Sequence, residues 1–213
     1  MGLEEFTDVR ARLAGAVDQL EKEFAGLYER SHIERVVQES AEGLKDAAVA
    51  SFVPILAHRF ARERLRAQAQ SEGKLAKSLV EVLFVSITGG GRARMAASLL
   101  ERRTGDSVSV HSASSGQATG IDPNVAVAME ELGIDLSEKF TRPLTAEVLA
   151  SADYVVTMGR SVGDLTLPEG AHHVDWRVGD PAGAELDEVR RVREDIERRV
   201  AKFAHELEGA VAV

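Results

Sequence analysis

Apolar positions at helical spacing open and close this chain, and short apolar runs lie between them. Near the start, Phe6, Val9, Leu13, Val17, Leu20, Phe24 and Leu27 fall three and four residues apart. That is a narrow, coiled-coil-like stripe on a helix predicted from Leu3 to about Leu27. Ser31 and Glu34 have the spacing of a capping box, so a second helix is expected from Ser31 through Ile33, Val36, Val37 and Leu44. A third is expected from Pro54, because proline is tolerated in a first turn, and it carries Ile55, Leu56, Phe60 and Leu65. Gly73 and its polar neighbours read as a linker. Residues 1–73 are thus predicted to form a small three-helix bundle, whose stripe either closes its own core or pairs two copies of the chain.

From residue 79 the pattern alternates. Val80–Val85 reads as a strand buried on both faces. A helix follows from Gly91 or Arg92 to about Thr104, then a strand over Ser107–His111. Pro123–Leu132 reads as a helix with Asp122 as N-cap and Gly133 as its stop. Leu144–Ala150 is a short helix capped by Thr145. Tyr154–Met158 and His172–Trp176 are strands. Leu186, Val189, Val192, Ile196, Val200, Phe203 and Leu207 define a long last helix. Alternating strands and helices imply parallel strands with right-handed crossovers. The expected fold of residues 79–213 is α/β, a three-layer sandwich around a four-stranded parallel sheet. On such sheets ligands bind at the carboxyl ends of the strands.

One such end is Ser86-Ile87-Thr88-Gly89-Gly90-Gly91-Arg92. Glycines let successive backbone N–H groups turn onto one point, and the positive end of the next helix aims there too. Arg92 adds a guanidinium fork suited to a tetrahedral oxyanion. The stretch reads as a cradle for phosphate or a phosphate-like anion. Arg94 either adds a second cation or, as expected, is a solvated first-turn residue. Asp180 before Pro181 fits a turn as well as an acid. His111, His172 and His173 are expected to be surface or strand-end histidines rather than bases for Ser86.

Composition narrows the chemistry. The chain has 213 residues and no cysteine, which excludes disulfides, zinc–thiolate sites and any thiol mechanism of its own. A formal net charge of −9 argues against nucleic acid as a partner. The basic cluster Arg59, Arg62, Arg64 and Arg66 reads as a solvated helix face. No apolar run is long enough for a membrane span, and the acidic start lacks a signal core, so the expected location is the cytoplasm.

Ser86, five residues and Arg92 resemble the catalytic loop of low-molecular-weight protein tyrosine phosphatases and of the arsenate reductases built on the same fold. His111-Ser-Ala113, Leu132-Gly-Ile-Asp135, Arg142-Pro-Leu-Thr145, Asp153-Tyr-Val-Val-Thr-Met-Gly159 and Trp176 through Asp180-Pro-Ala-Gly183 extend the resemblance over Val80 to Leu207. The helical start is similar to an extension on some actinobacterial arsenate-reductase-like proteins. The resemblance implies a Cys nucleophile at the loop's first position and an Arg holding the equatorial oxygens. It implies a Ser or Thr after that Arg to steady the thiolate, and an Asp before proline as acid. Here Ser86 stands in the place of the Cys, Ala93 in that of the hydroxyl, and Gly89 in that of a bracing Asn. The departures agree with each other, since a hydroxyl that steadies a thiolate has no use without one.

The resemblance thus assigns Ser86, Arg92 and Asp180 to the catalytic positions. Ile87, Thr88, Gly89, Gly90, Gly91 and Arg92 are assigned to the oxyanion, with no metal and no cofactor. The first expectation is an arsenate reductase- or phosphatase-like protein that binds phosphate, arsenate or a phosphorylated protein without thiol catalysis. One alternative is an active phosphatase or reductase using Ser86, water or an external thiol. Another is a homodimeric scaffold or regulatory protein assembled through the bundle.

Overall fold

A computed structural model describes residues 3–44, 53–87, 91–114, 121–136, 142–159 and 165–211. The chain divides into two compact units, residues 1–76 with 145–151, and residues 77–144 with 152–213.

In the first unit, α1 (Leu3–Glu23), α2 (Arg30–Glu42) and α3 (Val53–Ser71) enclose Ala16, Val17, Leu20, Phe24, Ile33, Val36, Val37, Ala61 and Leu65. The apolar stripe of α1 therefore closes the unit's own core; the side chain of Phe6 lies outside the described residues. The capping box does not form. Helix α2 begins one residue before Ser31, its N-cap Glu29 makes no side-chain cap bond, and Glu34 instead accepts from Arg30 Nε at 3.0 Å. Arg64 departs from the expected solvated face. Its half-buried guanidinium donates to Glu39 Oε2 at 2.7 Å and Glu147 Oε1 at 2.9 Å. Glu147 belongs to the short α6 (Ala146–Ala150), which groups with this unit although it follows in sequence from the second.

The second unit is built on one parallel sheet of β1 (Val80–Ser86), β2 (Val108–Ser114), β3 (Arg142–Pro143), β4 (Tyr154–Met158) and β5 (His172–Trp176), in the order β3-β2-β1-β4-β5. The four longer strands form the expected parallel sheet. The extra edge, β3, has two residues paired with Ala113 and Ser114, and its proline leaves the alternating signal too short to read.

Helices α4 (Gly91–Thr104), α5 (Pro123–Glu130) and α7 (Leu186–Val211) join the face carrying Val82, Phe84, Val110, Val156 and Trp176 in one core. Phe84, Trp176 and Phe203 form its aromatic centre, with ring centroids 5.5–6.5 Å apart. On the other face Leu83, Val85, Ala113 and Val155 are equally buried. The sheet is therefore covered on both sides, as continuous apolar strands require. β1 lies between β2 and β4, so its last residue ends amid buried strands.

Candidate functional site

Ser86 is the last residue of β1, in register with Ser114 of β2 and Met158 of β4. It is fully buried, and its Oγ has no hydrogen-bond partner among the described residues. A buried hydroxyl without a partner is uncommon, because losing water without replacement costs about 1–3 kcal/mol. Ser114 Oγ donates to Ile87 O at 3.1 Å, which pins the start of the loop to the neighbouring strand. Thr88, Gly89 and Gly90 lie outside the described residues. The chain is described again from Gly91, where α4 begins. A Cβ at Gly91 would meet Pro181 and Val125 at 3.7 Å, so the helix start sits close to the Asp180–Pro181 turn.

Arg92 is buried. Its Nη2 donates to Asp180 Oδ2 at 3.0 Å and its Nη1 to Val178 O at 3.4 Å. Behind it Gly159 follows β4 with φ +111°, and a Cβ there would come within 3.2 Å of both Nη atoms. Glycine thus meets two demands at once, a backbone angle that side chains resist and room for the guanidinium. Asp180 also accepts from Ala182 N at 3.2 Å, closing a turn. Two candidate residues far apart in sequence are thereby brought together, beside the strand end that carries the third. The carboxylate accepts from both sides here.

Asp122, read only as an N-cap, and Asn124, which carried no reading, brace this turn. Asp122 caps α5 by accepting from Asn124 N at 2.9 Å, as predicted, but its other oxygen accepts from Gly183 N at 2.9 Å. Asn124 Nδ2 donates to Ala184 O at 2.9 Å. Nothing local in sequence signals bonds that cross about sixty residues.

The histidines lie elsewhere. His111 bonds Glu81 Oε2 at 2.9 Å and stands level with Leu83, three residues before Ser86. His173 bonds Thr157 Oγ1 at 2.9 Å. Arg94 contradicts the expectation of a solvated first turn. It is 4% exposed, and burial pulls its guanidinium down to about 10. No group of three or more potential metal ligands occurs among the described residues.

Residues 81–212 match the family described as low molecular weight phosphotyrosine protein phosphatase. Residues 13–69 match a protein-tyrosine-phosphatase-like N-terminal domain. A putative arsenate reductase of Halobacterium salinarum is 35% identical over 137 residues, 62% of this chain and 96% of that protein. The solved thioredoxin-dependent arsenate reductase of Corynebacterium glutamicum is similar over 93% of this chain and 97% of its own, at 32% identity and TM-score 0.83. The tyrosine phosphatase Wzb of Escherichia coli, 17% identical over 61% of this chain and 99% of its own, shares the fold at TM-score 0.55. The chain therefore belongs to the low molecular weight phosphotyrosine protein phosphatase family, among arsenate reductase relatives, and carries Ser86 and no cysteine.

Proposed function

We propose that this protein binds a phosphate-like oxyanion at the end of β1, between Ser86 and Arg92, and does so without thiol catalysis. The carrying observation is the buried Arg92 guanidinium, packed on Gly159 just past the Met158 that pairs with Ser86, together with a fully buried Ser86 Oγ that has no partner among the described residues, in a chain that has no cysteine. The helix start at Gly91 supports it, since α4 directs its positive end to the same place.

The chemistry follows from what each residue can do. A serine hydroxyl is a poor nucleophile without an adjacent base, and no histidine among the described residues hydrogen-bonds Ser86 Oγ. Reducing arsenic(V) takes two electrons, which serine does not supply. The relatives named arsenate reductase, one of them thioredoxin-dependent, indicate arsenate and phosphate as guests of matching shape. A mixed disulfide with thioredoxin is closed to this chain. The guest is therefore held rather than turned over, either as a free anion or as the phosphorylated side chain of a partner protein.

Calorimetric titration with inorganic phosphate tests this. Binding at millimolar phosphate or below, lost in Arg92→Gln, is the expected result. No heat at millimolar phosphate, or equal binding by Arg92→Gln, overturns it. Hydrolysis of an aryl phosphate that disappears in both Ser86→Ala and Asp180→Asn would instead establish the alternative, an active phosphatase.

A further inference from the structure

The Arg92–Asp180 ion pair does not by itself fix Asp180 in place. The Asp180 side chain is 43% exposed, and an ion pair open to water on one side is worth little. Residues 177–185, which carry it, are neither helix nor strand. This turn is gripped at both ends instead. At its start, Val178 O accepts from Arg92 Nη1. At its end, Gly183 N donates to Asp122 Oδ2 and Ala184 O accepts from Asn124 Nδ2, both at 2.9 Å. Between the two grips, Asp180 Oδ1 accepts from Ala182 N at 3.2 Å, so the carboxylate is locked to the same short stretch that Asp122 and Asn124 hold.

The start of α5 is a firm support for these ties. Pro123 sets the backbone angle of the first turn, and Asp122 Oδ1 caps it by accepting from Asn124 N. Val125, Ala128 and Met129 are fully buried and anchor the helix in the core. Val125 and Pro181 both come within 3.7 Å of the Cβ position at Gly91, where α4 begins. The turn, the start of α5 and the start of α4 therefore meet at one place, and every contact named is made by described residues.

We propose that Asp122 and Asn124 are positioning residues of the oxyanion site: by fixing the turn they hold Asp180 on Arg92, and a guest displaces the carboxylate against that hold. The inference rests on the reading of the site as an oxyanion cradle and adds to it the residues, outside the loop itself, that set its affinity. Loosening either tie lets the carboxylate leave Arg92 more readily, so the guest binds more tightly. That gain exists only while there is a carboxylate at Asp180 to release.

A double-mutant cycle tests this on the native chain, Asn124→Ala, Asp180→Asn and the double variant, each by thermal melt without anion and by calorimetric titration with inorganic phosphate. Asn124→Ala is expected to bind phosphate about two- to threefold more tightly than the native chain, and to add nothing in the Asp180→Asn background. In the melts, Asp180→Asn is expected to lower the melting temperature less in the Asn124→Ala background than in the native one. Asp122→Asn serves as a second variant should Asn124→Ala not fold. Its amide offers one acceptor oxygen where the carboxylate uses two, so the same dependence on Asp180 is expected. A phosphate affinity that Asn124→Ala leaves unchanged, lowers, or alters equally with and without the Asp180 carboxylate shows a merely structural role and overturns the proposal. Coupling in the melts, with no phosphate bound by any of these chains, keeps the positioning and removes the cradle itself.

Discussion

The resemblance named Ser86, Arg92 and Asp180 as one candidate set, but how their side chains meet was not legible in the sequence. The fold places an acid of the chain, at 3.0 Å, on the guanidinium proposed to hold the oxyanion. The two anions compete for one cation, so Asp180→Asn is expected to tighten phosphate binding. A partly exposed pair is worth up to about 1 kcal/mol, which corresponds to roughly fivefold. A weaker affinity in that variant would mean that Asp180 helps to hold the guest. Gly159 was invisible as a site residue, because one glycine after a strand has no pattern. Its role appears only when Arg92 is seen behind it. Gly159→Ala is expected to destabilise the fold by about 1–3 kcal/mol in denaturant melts and to weaken phosphate binding with it. Arg94 was misread for a related reason. The composition of a helix turn shows charge, and burial is decided by whatever packs against it.

Helices and strands were easier to read than their ends. The strands Tyr154–Met158 and His172–Trp176 and the start of α7 at Leu186 fall where apolar spacing put them. The caps at Asp122 and Thr145 form, each side chain accepting from the backbone N–H two or three residues on. The failed cap at Ser31 shows the limit: Arg30 recruits Glu34, and an ion pair replaces the box. What holds α5 against its neighbours was not legible, since every bond involved is long-range. Asp122→Ala removes both a cap and the tie to Gly183, and is expected to cost about 1–2 kcal/mol in thermal melts. Asp122→Asn is expected to retain most of it.

At the other end of α5, Glu131 accepts from Arg190 and Arg193 of α7. Hydrogen bonds from Arg190 first, then Arg193, lower its carboxyl from 4.5 to about 2. A depressed carboxylate adds stability that is fully present above its unfolded value and is lost as pH falls through its folded one. Melting temperatures should therefore fall between about pH 4.5 and 2, and Glu131→Gln should flatten that part of the profile. An unchanged acid limb in the variant would show that the cluster contributes nothing to folding.

For the molecule as a whole, the alternation of elements was enough to set the parallel sheet, and the family match over residues 81–212 agrees with it. The grouping of α6 with the helical unit was not foreseeable, because its sequence neighbours all belong to the sheet. The stripe of α1 could be read as self-closing or as pairing, and its residues Val17, Leu20 and Phe24 lie inside the unit. That burial predicts the mass of a single chain in light scattering. A mass of two chains would mean pairing through another surface, for which Ile55 on α3, 59% exposed, is the first residue to change. No described helix is long and apolar enough to cross a membrane.

The proposed oxyanion is held where β1 ends and α4 begins. A crystal structure grown in phosphate addresses it at the atoms concerned. A tetrahedral anion is expected within hydrogen-bonding distance of Ser86 Oγ and the Arg92 guanidinium, with Asp180 displaced from Arg92. Arg92 still closed on Asp180 in saturating phosphate, with no anion beside Ser86, would contradict it.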